Sequence, residues 1–125
     1  MATRAIIARP ATGGGFAGRY LHRDGAPDTA TALLLDFVLT VCGGDVEAAT
    51  RCLLDEHPNG WINLPASDGG GQCLCHHGDG LDMGLITDQT DGEGEYAYVL
   101  HPGHLEVLAR TSDGWHTIRT TTWTS

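Results

Sequence analysis

The stretch GRYLHRDGAP, residues 18–27, sets Arg19, Tyr20, His22, Arg23 and Asp24 close together and ends with Gly25 and Pro27. A strand that only fills a core has no use for this set. Arg19 or Arg23 offers a planar fork to a phosphate or carboxylate. Tyr20 offers a ring for stacking, and His22 and Asp24 offer polar contacts to a base or sugar edge. These are the parts a small nucleotide needs. Alternation along a strand puts Tyr20, His22 and Asp24 on one side and Arg19, Leu21 and Arg23 on the other.

A second set follows in QCLCHHGDGLD, residues 72–82. On an extended strand Cys73, Cys75 and His77 share one face, and their soft donors suit zinc. The spacing is not the C-x₂-C of a zinc knuckle and no second cysteine pair follows, so a structural zinc would need a distant histidine. In a mixed site, His22 and Asp24 would be joined by His76 or His77 and by Asp79 or Asp82. Zinc or manganese there would leave open positions for water and a phosphate. No motif demands a cofactor.

Motifs for nucleophilic chemistry are missing. There is no G-x-S-x-G, and a chain without lysine has neither a P-loop lysine nor a Schiff base. The glycines at 13–15 do not open a helix, which leaves a hairpin turn or a backbone-amide nest. The reading therefore leans away from an enzyme.

Sixteen acids against seven basic residues, all arginine, give a formal charge of −9. That balance disfavours nonspecific nucleic-acid binding, which depends on neutralising phosphates. The charge is uneven: Arg4, Arg9, Arg19 and Arg23 precede residue 25 against a single acid, Asp24. A basic start on an acidic chain suits a small anion. No apolar run approaches the roughly 18 residues that span a bilayer, and no signal-type stretch follows Arg4 and Arg9. The expectation is a cytoplasmic protein with no membrane contact and with free thiols. Cys42 and Cys52 read as small buried hydrophobes.

The elements that must position these groups follow from periodicity. A chain of 125 residues is read as one domain, 1–125. Arg4–Arg9 and Phe16–His22 predict a β-hairpin. A helix is predicted to about Cys42, capped by Asp28 or Thr29, with Leu33, Leu34, Phe37, Val38 and Val41 inward. Gly43-Gly44 stops it. Asp45 caps a second helix, ending near His57, with Val46, Ala49, Cys52 and Leu53 inward. Trp61, Ile62 and Leu64 predict a short apolar segment against one end of the core. Strands are predicted over Gln72–His77, Met83–Thr87, Tyr96–Leu100, Leu105–Arg110 and Trp115–Trp123. The fold class is α+β: an N-terminal β-hairpin, a helical hairpin, then an antiparallel β-meander completing one sheet.

The residues Thr3-Arg4-Ala5, then Tyr20, His22, Asp24, Gly25 and Pro27, then Glu95–Leu100, carry a resemblance. They resemble a family of small, mostly uncharacterised proteins of bacteria and phages with a Tyr-x-His-Trp-Asp-Gly-Tyr-Pro motif near the N-terminus. CHHGDG at 75–80 falls where that family has a Tyr-His-Arg-Asp strand. Arg23 stands in place of the family's Trp, Ala26 in place of its Tyr, and Gly78 in place of its Arg. The resemblance implies a host-takeover or defence-related role and supplies no reaction.

Together these readings predict a protein that sequesters a small phosphorylated or anionic ligand, such as a nucleotide, in a phage-type anti-defence role. Its site would use Arg19, Tyr20, His22, Arg23, Asp24, Gly25 and His77, beside the positive N-terminus of the first helix. Two alternatives stay open. One is a metal-dependent phosphoesterase or nuclease using His22, Asp24, His76 and His77, with Cys73, Cys75 and Asp79 as further candidate ligands. The other is an acidic inhibitor that mimics nucleic acid toward a protein partner. A homo-oligomer with the site between subunits fits any of these.

Overall fold

The computed structural model describes residues 4–11, 15–22, 25–56, 61–64, 72–73, 86–87, 95–112 and 114–123. The hairpin expected at the N-terminus is present. Strands β1 (Ala5–Pro10) and β2 (Phe16–Leu21) pair antiparallel, with Ala5 opposite Leu21 and Pro10 opposite Phe16. β-Branched Ile6 and Ile7 favour the pleated chain. Gly18 lies opposite Ala8. A methyl group on Gly18 would sit 2.0 Å from the Ile7 carbonyl oxygen and 2.7 Å from the Ala8 Cβ, so the hairpin closes here only around a glycine.

Two helical segments follow. The first, α1, runs over Pro27–Asp36 and continues as a π-helical turn, Phe37–Val41. The second, α2, runs over Val46–Thr50 and continues as a π-helical turn, Arg51–Asp55. Gly43 and Gly44, at φ 64° and 86°, end the first, and the chain direction turns by 119° between the two. Asp45 caps α2 as expected, its carboxylate accepting from the Ala48 N–H. At α1 the expectation is corrected. Ala26 is the cap residue, Pro27 opens the helix, and Asp28 lies inside the first turn, because the fixed φ of proline suits the first helical position. Val41, expected inward, is half-exposed. Its turn is bonded i to i+5 rather than i to i+4, and the wider winding carries Val41 off the stripe.

The remaining described strands are β3 (Trp61–Asn63), β4 (Gln72–Cys73), β5 (Ile86–Thr87), β6 (Tyr96–Leu100), β7 (His104–Thr111) and β8 (Gly114–Thr122). All join one sheet in the order β4-β3-β2-β1-β6-β7-β8, with β5 also on β2. The predicted α+β class holds: hairpin, helices, then the antiparallel β6-β7-β8 meander completing the sheet. The join between hairpin and meander is parallel, Ala5 opposite Tyr96 through Ala8 opposite Val99. The apolar segment expected against the core is there, Trp61 and Leu64 being buried in it, and Trp61–Asn63 is also a strand, with Trp61 opposite Leu21. Of the strands expected at 72–77 and 83–87, the ends Gln72–Cys73 and Ile86–Thr87 are seen; the rest lies outside the described residues.

The sheet has two apolar faces. Ile7, Leu21, Tyr98, Leu105 and Val107 are buried together with Leu34, Phe37, Val38, Leu53, Leu54 and Trp61 under the helices. Ile6, Ala8, Phe16, Tyr20, Ala97 and Val99 form a separate cluster on the other face, with Leu108 and Trp115 against it. No single described helix is long and apolar enough to cross a membrane.

Candidate functional site

Strand register decides which of the candidate residues meet. On β2, Arg19 lies opposite Ile7 and Tyr20 opposite Ile6. Arg19 therefore turns to the helices and Tyr20 to the opposite face. Arg19 donates through Nε to the Leu54 carbonyl at 2.9 Å. The Tyr20 hydroxyl lies 2.9 Å from His22 Nδ1, with the two rings tilted and 5.9 Å apart. Arg19 is thus separated from Tyr20 and His22 by the thickness of the sheet. The Gly25 carbonyl accepts a hydrogen bond from the Tyr98 hydroxyl. The first turn of α1 carries its own acid, Asp28, 3.2 Å from Arg119. Arg23, Asp24, Cys75, His76, His77, Asp79 and Asp82 lie outside the described residues, and Cys73 is described by its backbone alone on β4. Among the described residues no three His, Cys, Asp or Glu side chains gather in a way that could hold a metal ion.

The helix-facing side of the hairpin builds a different cluster. Arg9 lies opposite Ala17 while Arg19 lies opposite Ile7, which makes the two arginines diagonal neighbours on one face. Such pairs lie about 7–8 Å apart, within reach of long side chains, and the small Ala17 leaves room between them. Asp55, at the end of the second helical segment, supplies a carboxylate 2.6 Å from Arg9 Nη2. That hydrogen bond, with the charges of Arg9, Arg19 and Arg51, holds the Asp55 carboxyl below its ordinary range. Three of the chain's seven basic residues thus act on one acid, on a chain of net charge −9. A hollow of about 240 Å³ lies there, lined by Arg9, Ala17, Arg19, Leu54 and Asp55.

This cluster can hold an anion. Each guanidinium carries five N–H donors. Arg9 gives one of its donors to Asp55 and Arg19 one of its donors to Leu54, which fixes both forks. The sequence reading had Arg19 as an anion ligand. It missed Arg9, counted there only as part of a basic start, together with Asp55 and Arg51. Hairpin register was the available signal for Arg9. For Asp55, 46 residues away, there was none.

A second polar cluster lies on the opposite face. The rings of His101 and His104 stack at 4.3 Å, and His101 Nε2 is 3.0 Å from Glu106 Oε1. The Thr117 hydroxyl donates to the other Glu106 oxygen. That bond, and after it the His101 contact, keeps the Glu106 carboxyl below its usual value. The Trp123 indole N–H donates to the His101 carbonyl at 2.6 Å, which fixes the turn. The two helix cysteines are free, and burial pushes both thiols up, so neither is an activated nucleophile.

No family model, curated protein or solved structure matches this chain.

Proposed function

We propose that this protein binds and holds a small anion, a phosphate or carboxylate group, at Arg9 and Arg19. The carrying observation is the hollow lined by these two arginines and by Asp55, whose carboxyl the charges of Arg9, Arg19 and Arg51 hold below its ordinary range. Local positive charge in a strongly acidic chain selects a small anion over a polyanion, because the acidic remainder repels a long one. The forks rest on rigid elements, two paired strands and a helix, as a precise site requires. Asp55 is the competing internal anion, and a ligand displaces it from Arg9 or shares the fork. Holding a ligand unchanged is also what a sequestering protein of the phage type would do. Bound nucleotide would place its phosphate here.

Calorimetric titration with inorganic phosphate at low salt tests the proposal. Saturable binding is expected, weakened at least tenfold in the Arg9→Gln, Arg19→Gln double variant, with an unchanged circular dichroism spectrum. Equal phosphate affinity in the two proteins would overturn it, as would no binding to the unsubstituted chain.

A further inference from the structure

We infer that the anion held at Arg9 and Arg19 is a dianion, the terminal phosphoryl group of a phosphomonoester, and that Arg51 is the third cation that makes the site prefer two charges over one. The inference rests on the anion-binding reading above and adds the charge, the shape and a further residue.

The shape follows from the strands. Arg9 and Arg19 stand on β1 and β2 as diagonal neighbours. Each is fixed through one of its donors, on Asp55 and on Leu54. A carboxylate is flat and is matched by a single fork. Two forks on separate strands are matched by a group whose oxygens spread in three dimensions, as those of a phosphoryl group do. The hollow they line, about 240 Å³, is smaller than the roughly 300–1,000 Å³ of sites that enclose a whole small molecule. It takes the charged head and leaves the remainder of the ligand outside. The side chains of Arg9 and Asp55 are 39% and 52% exposed, so the head enters from solvent with its ester oxygen outward.

The charge follows from the helix. Arg51 opens the π-helical turn that Asp55 closes, and residues four apart on a helix are neighbours on its surface. Arg51 is exposed, and its charge acts on the Asp55 carboxylate together with those of Arg9 and Arg19. Glu56, the next acid along the chain, acts on the Cys52 thiol. Three positive charges around one negative leave two to be neutralised. A monoanion leaves the cluster positive, whereas a dianion balances it.

Sulfate and methanesulfonate are both tetrahedral at sulfur and differ by one charge, so calorimetric titration of the two at low salt reads the charge preference. Sulfate is expected to bind at least fivefold more tightly. In Arg51→Gln, with an unchanged circular dichroism spectrum, sulfate should weaken about fourfold and methanesulfonate about twofold, since the Coulomb energy doubles with the ligand's charge. Glycerol phosphate is expected to match inorganic phosphate, because only the head is enclosed; an ester tenfold weaker would assign the free ion and overturn the phosphomonoester. Equal affinity for sulfate and methanesulfonate, or equal weakening of both in the variant, would overturn the dianion and leave the anion site standing. Failure of sulfate and phosphate alike would overturn both.

Discussion

Arg19 and Tyr20 are sequence neighbours that serve opposite faces of the sheet. The Arg19 guanidinium reaches the Leu54 carbonyl under the helices, while the Tyr20 hydroxyl meets His22 on the other face. One peptide bond thus divides the polar run of residues 18–27 between two environments. Arg19 shares a face and a hollow with Arg9 of the neighbouring strand, and Tyr20 packs with Ile6 and Phe16.

Gly18→Ala is expected to destabilise the protein by about 3 kcal/mol, because overpacking here meets backbone rather than a movable side chain. The added methyl would lie 2.0 Å from the Ile7 carbonyl oxygen. Urea unfolding measures it, and a loss within experimental error would show that β1 and β2 can separate without cost.

Tyr98→Phe removes the hydroxyl that donates to the Gly25 carbonyl. Burial pushes the Tyr98 phenol above its ordinary value, so the group stays a neutral donor at any pH the fold tolerates. Leaving a buried carbonyl unpaired costs about 1–3 kcal/mol. The same substitution frees the start of α1, so faster amide exchange at residues 27–30 is the local readout.

Thr31→Val should act in the other direction. The Thr31 hydroxyl is buried without a hydrogen-bond partner, and Val has nearly the same shape and a similar helix propensity. Replacing the unpaired hydroxyl by a methyl is expected to raise stability by about 1 kcal/mol, read as a higher urea midpoint with unchanged slope.

Acid should weaken the fold through two carboxylates. Asp55 and Glu106 both titrate lower in the folded chain than when unfolded. The stability they contribute is therefore complete above the ordinary carboxylate values, roughly pH 4 to 4.5. It is lost as pH falls through the lower folded values. Glu106→Gln is expected to flatten the acid limb of a stability-against-pH curve. An acid limb of unchanged steepness in that variant would show that the His101–Glu106–Thr117 contacts do not stabilise the folded state.

Much of the fold was legible because it is written locally. A β-branched run marked β1, alternation marked β2, helical spacing marked the two helices, and Gly43-Gly44 marked the stop between them. What was not legible depends on distance along the chain. The parallel pairing of Ala5 with Tyr96 leaves no trace in periodicity, nor does the seating of Trp61 beside Leu21. The π-helical ends were hidden too, since the stripe through Phe37 and Val38 is the same for either winding up to that point. For the candidate site, strand alternation already separated Arg19 from Tyr20 and His22. The partnership of Arg9 with Asp55 needed the third dimension.

The parallel join of β1 to β6 also orders events during synthesis. The hairpin and both helices are complete once about half the chain has emerged, but one edge of β1 waits for residues 96–99. Until then an apolar strand carrying Ile6 and Ile7 has an open ladder. Pairing that spans some ninety residues is slow to form and exposed to mispairing meanwhile. A nascent chain stalled before residue 95 is therefore the species most prone to aggregate, and the last quarter of the sequence closes the open edge of a strand laid down first.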